Sequence, residues 1–341
     1  MTSSPSAAYA EGDKSSCSTP PLNPPCAGTT DGVGVRLHKP GVAGSSPAAA
    51  TSCLLRHDEP ITSYHSDREW WSKSQLWTLR SSGPEAFRAR YLSPTPQQYG
   101  DSEALKKGTY VHEWCEQGPD AWWSRVAIVP SSALGAGGRR TKATDEYEAE
   151  VLKAKPDAII LKQDEAEDYR QQFANILANK AFRELTEATI AREFSIRWRD
   201  PSGLQLKCRP DAVTDSVVWD IKTTREAKPR ETFWKSVVDF GYPHQQCLYL
   251  EGLQAAGLDI KDFVFLVTST VYPYRCHAVT LPARLISRAK RELRSTIAEL
   301  QARIELDHWL PEDSDQVTEL FVPERYMEAG NVAGFAPRWV Q

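Results

Sequence analysis

The sequence lacks the cysteine patterns of zinc ribbons, iron–sulfur proteins and disulfide frameworks, because its seven cysteines are scattered and none forms a C-x-x-C pair. It also lacks an apolar run of the ~18–20 residues that a membrane-spanning helix needs, so no membrane partner is expected. The first residues lack the basic start and apolar core of a secretory signal. The odd number of cysteines and the missing signal together predict a reducing, cytoplasmic location.

A strong net charge of either sign is absent as well. The 41 Lys and Arg residues against 45 Asp and Glu residues give a formal net charge of −4, which does not by itself point to nucleic acid. A net charge of this size does not exclude a nucleic-acid partner, because a basic groove can lie on an acidic protein. The hydrophobic fraction of 40% and the length of 341 residues are those of a globular protein with one large domain or two smaller ones.

The N-terminal segment, residues 1–60, has no sustained hydrophobic periodicity and is rich in Ser, Pro, Gly, Ala and Thr. Such a segment cannot bury enough apolar surface to offset the entropy of ordering, so we predict that it is disordered. We predict a folded domain at 61–310 and a proline-containing C-terminal tail at 311–341 that docks partly on it.

The residues that could carry chemistry are concentrated in one predicted β-hairpin. Two strands are predicted on either side of a two-residue loop at 215–216. This register sets Asp211 opposite Asp220, with their Cβ atoms about 5 Å apart. Because side chains alternate between the faces of a strand, Lys222 points the same way as Asp220.

The opposed carboxylates of Asp211 and Asp220 would repel each other unless a cation lay between them. Hard divalent ions such as Mg²⁺ prefer oxygen clusters of this kind and keep several waters. The ammonium of Lys222 can orient or deprotonate a water there, or stabilise developing charge. The alternative is an ordinary surface hairpin with a salt bridge, although Asp and Lys are poor strand residues and here cluster on one face. Arg209 flanks Asp211 and is expected to point to the opposite face in a structural role.

Whether Glu193 lies on the same face as Asp211 and Asp220 depends on the loop of a second predicted hairpin. The run Asp200-Pro-Ser-Gly203 predicts a turn in which the glycine takes a left-handed conformation. A three-residue loop would pair Asp200 with Leu204 and set Glu193 opposite Asp211 on the same face. A two-residue loop would turn Glu193 to the other face, and a solvated strand carboxylate is its alternative role.

The order of predicted elements indicates the fold class. A helical region comes first, then three strands, a helix, two strands and a long helix, predicted at 189–199, 204–213, 217–223, 242–256, 263–270, 276–281 and from 282 to about 308. Helices on either side of a group of strands predict an α/β sandwich with a mixed central sheet.

These motifs resemble a known nuclease core. Asp211 followed by Asp220-Ile-Lys222 at the end of a hairpin resembles the PD-(D/E)xK nuclease superfamily. The longer runs closely resemble the nuclease domain of the RecE-type exodeoxyribonuclease VIII family, and are similar to RecB-type and lambda-type exonucleases. A lone Asp-x-Lys is common, but the ordered set is far more specific: Cys-Arg-Pro-Asp211, Trp-Asp220-Ile-Lys-Thr-Thr224, Gly108-x-x-x-His112 and Gly-Tyr242-x-x-Gln245-x-x-x-Tyr249, within roughly 70–306.

The resemblance implies an α/β restriction-endonuclease-like core, with a mixed central β-sheet flanked by helices. It implies that Asp211, Asp220 and the carbonyl of Ile221 bind Mg²⁺ or Mn²⁺, and that Lys222 positions or activates the attacking water. The metal would lower the pKa of that water and stabilise charge on the phosphate. His112 taken alone would be a helix-surface histidine, but its match to the family's Gly-x-x-x-His helix implies a metal contact.

Further residues receive roles through the same resemblance. Glu193 matches a glutamate of the family's strand, which implies that it binds the metal or supports its ligands. Gln245 and Tyr249 lie four apart on one helical face and would steady the site and contact the DNA backbone, with core packing as the alternative. Three residues that follow the metal-binding strand are expected to bind phosphates: Thr223, Thr224 and Arg225.

The implied activity is a metal-dependent exonuclease that degrades one strand of linear double-stranded DNA from its 5′ end. The family setting implies double-stranded DNA ends as substrate, a single-strand annealing protein as partner, a phage or prophage recombination module and a homo-oligomer. Two alternatives stay open: an endonuclease or flap-trimming nuclease of the same fold, and a DNA-binding module that has lost catalysis. The intact Asp211, Asp220 and Lys222 argue against the last.

Overall fold

The strand that carries Asp220 and Lys222 lies in the middle of a five-stranded sheet. The structure, a computed structural model, describes residues 53–96, 102–310 and 317. The sheet has the order β10-β9-β8-β7-β4, with β8 parallel to β9 and antiparallel to β7, so it is mixed as predicted. Its strands are β4 (Ala191–Arg192), β7 (Ala212–Val213), β8 (Val217–Thr224), β9 (Asp262–Ser269) and β10 (Cys276–Val279).

Two smaller sheets accompany the central one. One is antiparallel, with the order β1-β5-β6, and consists of β1 (Leu54–Arg56), β5 (Ser195–Arg199) and β6 (Gln205–Cys208). The other is a parallel pair of β2 (Val126–Ile128) and β3 (Ile159–Leu161).

Helices cover both faces of the central sheet and create two cores. One core contains Trp219 and Ile221 of β8 with Trp114 and Phe173 of the helices on that side, and the other contains Val218 with helices of the opposite side. The predicted α/β sandwich is therefore confirmed. The helices are α1 (Ile61–Ser66), α2 (Lys73–Phe87), α3 (Glu103–Gln117), α4 (Pro119–Ser124), α5 (Lys142–Ala154), α6 (Gln163–Ala178), α7 (Lys180–Glu187), α8 (Pro229–Thr232), α9 (Trp234–Asp239), α10 (Tyr242–Ala255) and α11 (Ala283–Leu306).

The loop at 215–216 has the predicted length, and the loop after Asp200 is the three-residue alternative. The amide of Asp200 donates to the carbonyl of Leu204 at 2.9 Å, which closes a three-residue loop with Gly203 at φ +95°. The amide of Thr214 donates to the carbonyl of Val217 at 2.8 Å, which closes the two-residue loop of the second hairpin. These loops set the register on which the site depends.

The strands predicted as continuous at 189–199 and 204–213 are each interrupted, so that part of the prediction is wrong. The first divides into β4 and β5 around Glu193, and the second divides into β6 and β7 between 209 and 211. Glu193 has φ +48°, a left-handed conformation that a non-glycine residue adopts only when its surroundings hold it there. A backbone hydrogen bond nevertheless joins the two interrupted segments, because the amide of Glu193 donates to the carbonyl of Asp211 at 3.1 Å.

Some residues before the predicted domain boundary at 61 belong to the fold, so the predicted disordered segment does not extend to residue 60. The strand β1 pairs with β5, and the carboxylate of Glu59 accepts two hydrogen bonds from the buried guanidinium of Arg197, at 2.7 and 2.9 Å. Because Arg197 is only 1% exposed, its charge needs these partners. Residues 1–52 of the predicted disordered segment, and the predicted tail apart from residue 317, lie outside the described residues.

Deleting residues 1–60 is expected to destabilise the domain. The deletion removes β1 and the carboxylate of Glu59, and it leaves the buried Arg197 with Asp67 as its remaining carboxylate partner at 2.8 Å. Breaking a buried ion pair costs about 3–5 kcal/mol, which corresponds to about 5–10 °C or more in melting temperature. A chain that begins at Cys53 is the matched control, and equal melting temperatures of the two shortened chains would contradict this prediction.

None of the helices in the described part of the chain combines the length and apolar character needed to span a bilayer.

Candidate active site

The alternation of β8 separates its packing residues from its polar ones. Trp219 and Ile221 are buried against helices on one face, whereas Asp220 and Lys222 lie on the other face, toward α10. The Asp220 carboxylate is only 1% exposed, and it accepts a hydrogen bond from Gln245 Nε2 of α10. Its other oxygen forms an ion pair with the Lys222 ammonium. Asp220 is therefore fixed between one neutral donor and one cation.

Asp211 is held against the neighbouring strand and against α3. Its Oδ2 accepts a hydrogen bond from the amide of Ile221 at 2.8 Å and lies 3.3 Å from Nδ1 of His112. The backbone pairing of β7 with β8 ends at Ala212 and Trp219, and beyond it Asp211 contacts β8 through its side chain, at the amide of Ile221.

The helix α3 brings His112 to the strands from a distant part of the chain. Ser102 caps its first turn by accepting from the Leu105 amide at 3.2 Å. Gly108 lies one helical turn before His112, and a Cβ atom there would lie 3.4 Å from Thr223 Oγ1. That is an ordinary van der Waals distance, so α3 lies against β8 at this point.

A group of three potential metal ligands results from these contacts. One ligand atom each of His112, Glu193 and Asp211 lies within 4.8 Å of the other two, and all three residues are half-buried. One imidazole nitrogen and two carboxylate oxygens suit Mg²⁺ and, because of the imidazole, Mn²⁺ particularly well. Asp220 does not belong to this group, because its oxygens face Lys222 and Gln245.

The electrostatics of the group favour binding of a cation. Burial and the charge of Asp220 raise the pKa of Asp211 to about 8. Burial and the charge of Asp211 raise the pKa of Glu193 to about 7. Burial and the ammonium of Lys222 lower the pKa of His112, so its imidazole is neutral and able to bind a metal near pH 7. A divalent ion would relieve the repulsion that raises both carboxyl pKa values.

Lys222 keeps its proton in this environment. Burial alone would lower its pKa, but the carboxylates of Asp220 and Asp211 outweigh burial and raise it. A lysine that stays protonated donates hydrogen bonds and positive charge, and does not act as a base.

The residues predicted to bind DNA lie in two places, on α10 and at the C-terminal end of β8. Gln245 is 5% exposed and donates a hydrogen bond to the Asp220 carboxylate. The Tyr249 ring packs against the Phe263 ring, with 6.2 Å between the ring centroids. Neither residue belongs to the group of three ligands. Thr224 is buried and its carbonyl accepts from Thr270, whereas Thr223 is half-buried and Arg225 is exposed where the strand ends.

A family model described as a PDDEXK-like domain of unknown function (DUF3799) matches residues 72–318, which is more than half of the chain. The chain belongs to the DUF3799 family. The predicted membership of the PD-(D/E)xK nuclease superfamily is thereby confirmed. Nucleases of this superfamily generally use divalent metal ions.

A solved structure shows a similar fold. A candidate exonuclease from Eubacterium rectale superimposes with a TM-score of 0.51 and 14% identity, covering 80% of this chain and 98% of its own. LHK-Exo in complex with dAMP gives a TM-score of 0.22 and 18% identity, covering 49% and 84%. No curated protein matches the chain by sequence.

Arg209 belongs to the site of this DUF3799 domain, so the expectation that it points away is wrong. Its Nε donates to Glu193 Oε2 at 2.8 Å, and its Nη1 donates to the carbonyl of Glu59 at 2.8 Å. The signal was present in the sequence, because residues 209 and 211 are two apart and share a face in an extended chain. Arg209 therefore links the N-terminal segment to a candidate metal ligand.

Lys73 is a second cation beside Lys222, and sequence patterns do not predict its position there. It is the first residue of α2, its ammonium donates to the carbonyl of Phe240, and it lies 5.6 Å from the centre of the Tyr242 ring. Lys222 lies 5.2 Å from the same ring. Burial and the charge of Lys222 lower the pKa of Lys73 to about 7. The contact joins residues far apart in the chain, so no local pattern could have predicted it.

Replacing Arg209 by alanine is expected to weaken metal use and leave the fold intact. Arg209 orients Glu193 and lowers its pKa, so without it Glu193 would lose its proton only at higher pH. Loss of a residue that orients a metal ligand typically costs about 10–100-fold in metal affinity or activity. The metal concentration for half-maximal cleavage should therefore rise, and the acidic limb of the pH–rate profile should move to higher pH. An unchanged metal requirement and an unchanged pH profile would contradict this role.

Proposed function

We propose that this DUF3799 domain is a metal-dependent exonuclease that degrades one strand of linear double-stranded DNA. The observation that carries the proposal is the juxtaposition of three metal-type ligands, His112, Glu193 and Asp211, with the protonated Lys222. A divalent metal beside a fixed ammonium is an arrangement suited to hydrolysis of a phosphodiester.

The three ligands would hold Mg²⁺ or Mn²⁺, and Asp220 together with the backbone of Ile221 would border the site. The bound ion would lower the pKa of a water and neutralise charge on the phosphate. The neutral imidazole of His112 favours Mn²⁺ over Mg²⁺ in affinity.

The protein's own contribution centres on Lys222. Its ammonium is fixed by Asp220, which is itself fixed by the buried amide of Gln245. This chain of contacts holds the positive charge in one place before substrate arrives, so little reorganisation is needed when negative charge develops on the phosphate. The ammonium would orient the attacking water and stabilise the phosphate oxygens, and Thr223 and Arg225 would contact neighbouring phosphates.

The exonuclease assignment rests on likeness to exonucleases. The ordered motifs resemble the RecE-type family, and the structural neighbour from Eubacterium rectale is described as a candidate exonuclease. From the same resemblance we propose 5′ to 3′ polarity, a single-strand annealing protein as partner, a phage or prophage recombination setting in the cytoplasm, and assembly of several copies.

Digestion of two DNA forms with Mg²⁺ or Mn²⁺ tests the proposal. The full-length protein should degrade a linear duplex and leave a covalently closed circle intact. Duplexes labelled at the 5′ or the 3′ end report polarity, and early release of the 5′ label is expected. Cutting of the closed circle would replace the exonuclease by an endonuclease of the same fold, and failure to cut any DNA would overturn the proposal.

A further inference from the structure

The short helix α9, beside the proposed active site, exposes apolar side chains that its own packing does not use. Val237 and the preceding Phe233 are each 4% exposed and lie in the core. Trp234 and Val238 are 62% and 57% exposed and lie four residues apart on one helical face, and Phe240 is 55% exposed. We call Trp234, Val238 and Phe240 the α9 surface.

The C-terminal end of α9 is held firmly against α2. The indole nitrogen of Trp77 donates to the carbonyl of Asp239 at 3.0 Å, and Lys73 donates to the carbonyl of Phe240. Gly241 has φ +59°, and a Cβ atom there would lie 2.3 Å from the Trp77 ring, so only glycine permits this approach. A surface fixed in this way loses little entropy when it binds a ligand.

One residue of this surface, Phe240, adjoins the site. The Phe240 ring lies 5.9 Å from the Tyr242 ring, and the Lys222 ammonium lies 5.2 Å from the centre of the Tyr242 ring. A single ring therefore separates an exposed aromatic side chain from the proposed catalytic lysine.

The charges around the α9 surface suit a polyanion. Within 225–240, four exposed cations outnumber three acidic residues: Arg225, Lys228, Arg230 and Lys235 against Glu226, Glu231 and Asp239. Only one of these cations is recorded in an ion pair, Lys235 with Glu226 at 3.7 Å, among the residues that the structure describes. Exposed aromatic rings flanked by cations are typical of proteins that bind single-stranded nucleic acid, where rings stack on bases and cations follow the backbone.

We propose that the α9 surface stacks on the bases of unpaired nucleotides in the strand whose phosphate lies at Lys222. An intact duplex hides the faces of its bases, so the surface selects single-stranded or frayed ends. The proposal rests on the proposed nuclease function for the position of the strand, and it adds the substrate class.

Binding of labelled oligonucleotides tests this role in the full-length protein. Fluorescence anisotropy is measured in Ca²⁺, which should support binding without turnover because it is larger and less strictly octahedral than Mg²⁺. Trp234→Ala and Phe240→Ala should each weaken binding of a single strand by about 5-fold to 100-fold, and of a blunt duplex much less. Trp234→Phe keeps a stacking ring and should bind nearly as the wild type does.

A matched control lies far from the site. Leu306 is 75% exposed near the end of α11, where Trp309 stacks on Phe87 at the opposite end of α2 from Lys73. Leu306→Ala should leave binding unchanged. A loss equal to that of Trp234→Ala would mean that exposed apolar area in general, and not the α9 surface, drives binding, and would overturn the proposal.

Two further outcomes separate this proposal from the proposed function. If the wild type cleaves DNA but Trp234→Ala and Phe240→Ala bind single strands normally, the α9 surface has another occupant and the stacking proposal fails. A second copy of the chain would then be recognised by sedimentation, as a dimer that Trp234→Ala dissociates. If the wild type cleaves no DNA yet the two variants lose single-strand binding, the stacking surface stands and the nuclease function fails.

Discussion

Replacing Lys222 by alanine is expected to lower the rate of DNA cleavage by about 10²–10³-fold or more. Loss of one fixed donor at a developing negative charge typically has an effect of this size. The ammonium of Lys222 is fixed by Asp220 and stays protonated, so its charge is present throughout the reaction. Single-turnover cleavage at saturating DNA and metal measures the chemical step.

Binding of the Lys222→Ala variant to DNA in Ca²⁺ should change only a few-fold, because the phosphate contacts proposed for Thr223 and Arg225 remain. Lys222→Arg restores the charge with a planar, larger group and should recover little of the rate. Lys261→Ala, which removes a lysine of 78% side-chain exposure beyond the opposite end of β8 from Lys222, is the matched control and should cleave normally. A Lys222→Ala variant that cleaves at a near-normal rate would refute the assignment.

Replacing Asp211 by asparagine is expected to abolish cleavage and at the same time stabilise the metal-free protein at pH 8. The pKa of this carboxyl is raised to about 8 in the folded protein, so the folded state holds a proton that the unfolded state has already lost above about pH 4. The free energy of unfolding therefore falls as pH rises from about 4 to 8. Asparagine removes that loss. A shift of about four pKa units corresponds to at most about 5 kcal/mol, so we expect a gain of a few kcal/mol, or roughly 5–10 °C in melting temperature.

Thermal unfolding at pH 5.5 and 8.5, in EDTA or in Mn²⁺, tests this behaviour. In EDTA the melting temperature of the wild type should fall with pH more steeply than that of Asp211→Asn. Mn²⁺ should raise the melting temperature of the wild type most at high pH, because it stabilises the ionised carboxylates, and should raise that of the variant little. Asp215→Asn, at an exposed carboxylate in the hairpin loop, is the matched control. Parallel pH profiles for wild type and Asp211→Asn would contradict the linkage.

The local geometry of the site could be predicted from sequence because short loops determine register. The three-residue loop after Asp200 and the two-residue loop after Thr214 set Glu193 and Asp220 beside Asp211 before any tertiary contact is considered. Period-two alternation then separates Trp219 from the polar residues of β8. These relations are local, and local rules suffice for them.

The rest of the site depends on contacts that no local rule contains. His112 reaches Asp211 only because α3 packs on β8, and without the family resemblance it would have been assigned to the helix surface. Period-two patterns assume a regular strand, so they do not predict the interruption at Glu193. Composition treats residues 1–60 as one segment, so it does not predict the contacts that run from Glu59 through Arg209 to Glu193.

Metal dependence is the measurement that bears most directly on the proposed site of His112, Glu193 and Asp211 beside Lys222. An end-labelled linear duplex is incubated with the full-length protein in Mg²⁺, Mn²⁺, Ca²⁺ or EDTA. Cleavage is expected with Mg²⁺ and Mn²⁺, binding without cleavage with Ca²⁺, and no cleavage in EDTA until excess Mn²⁺ is restored. Cleavage in EDTA at the rate seen with Mg²⁺ would contradict the metal site and the chemistry proposed for it.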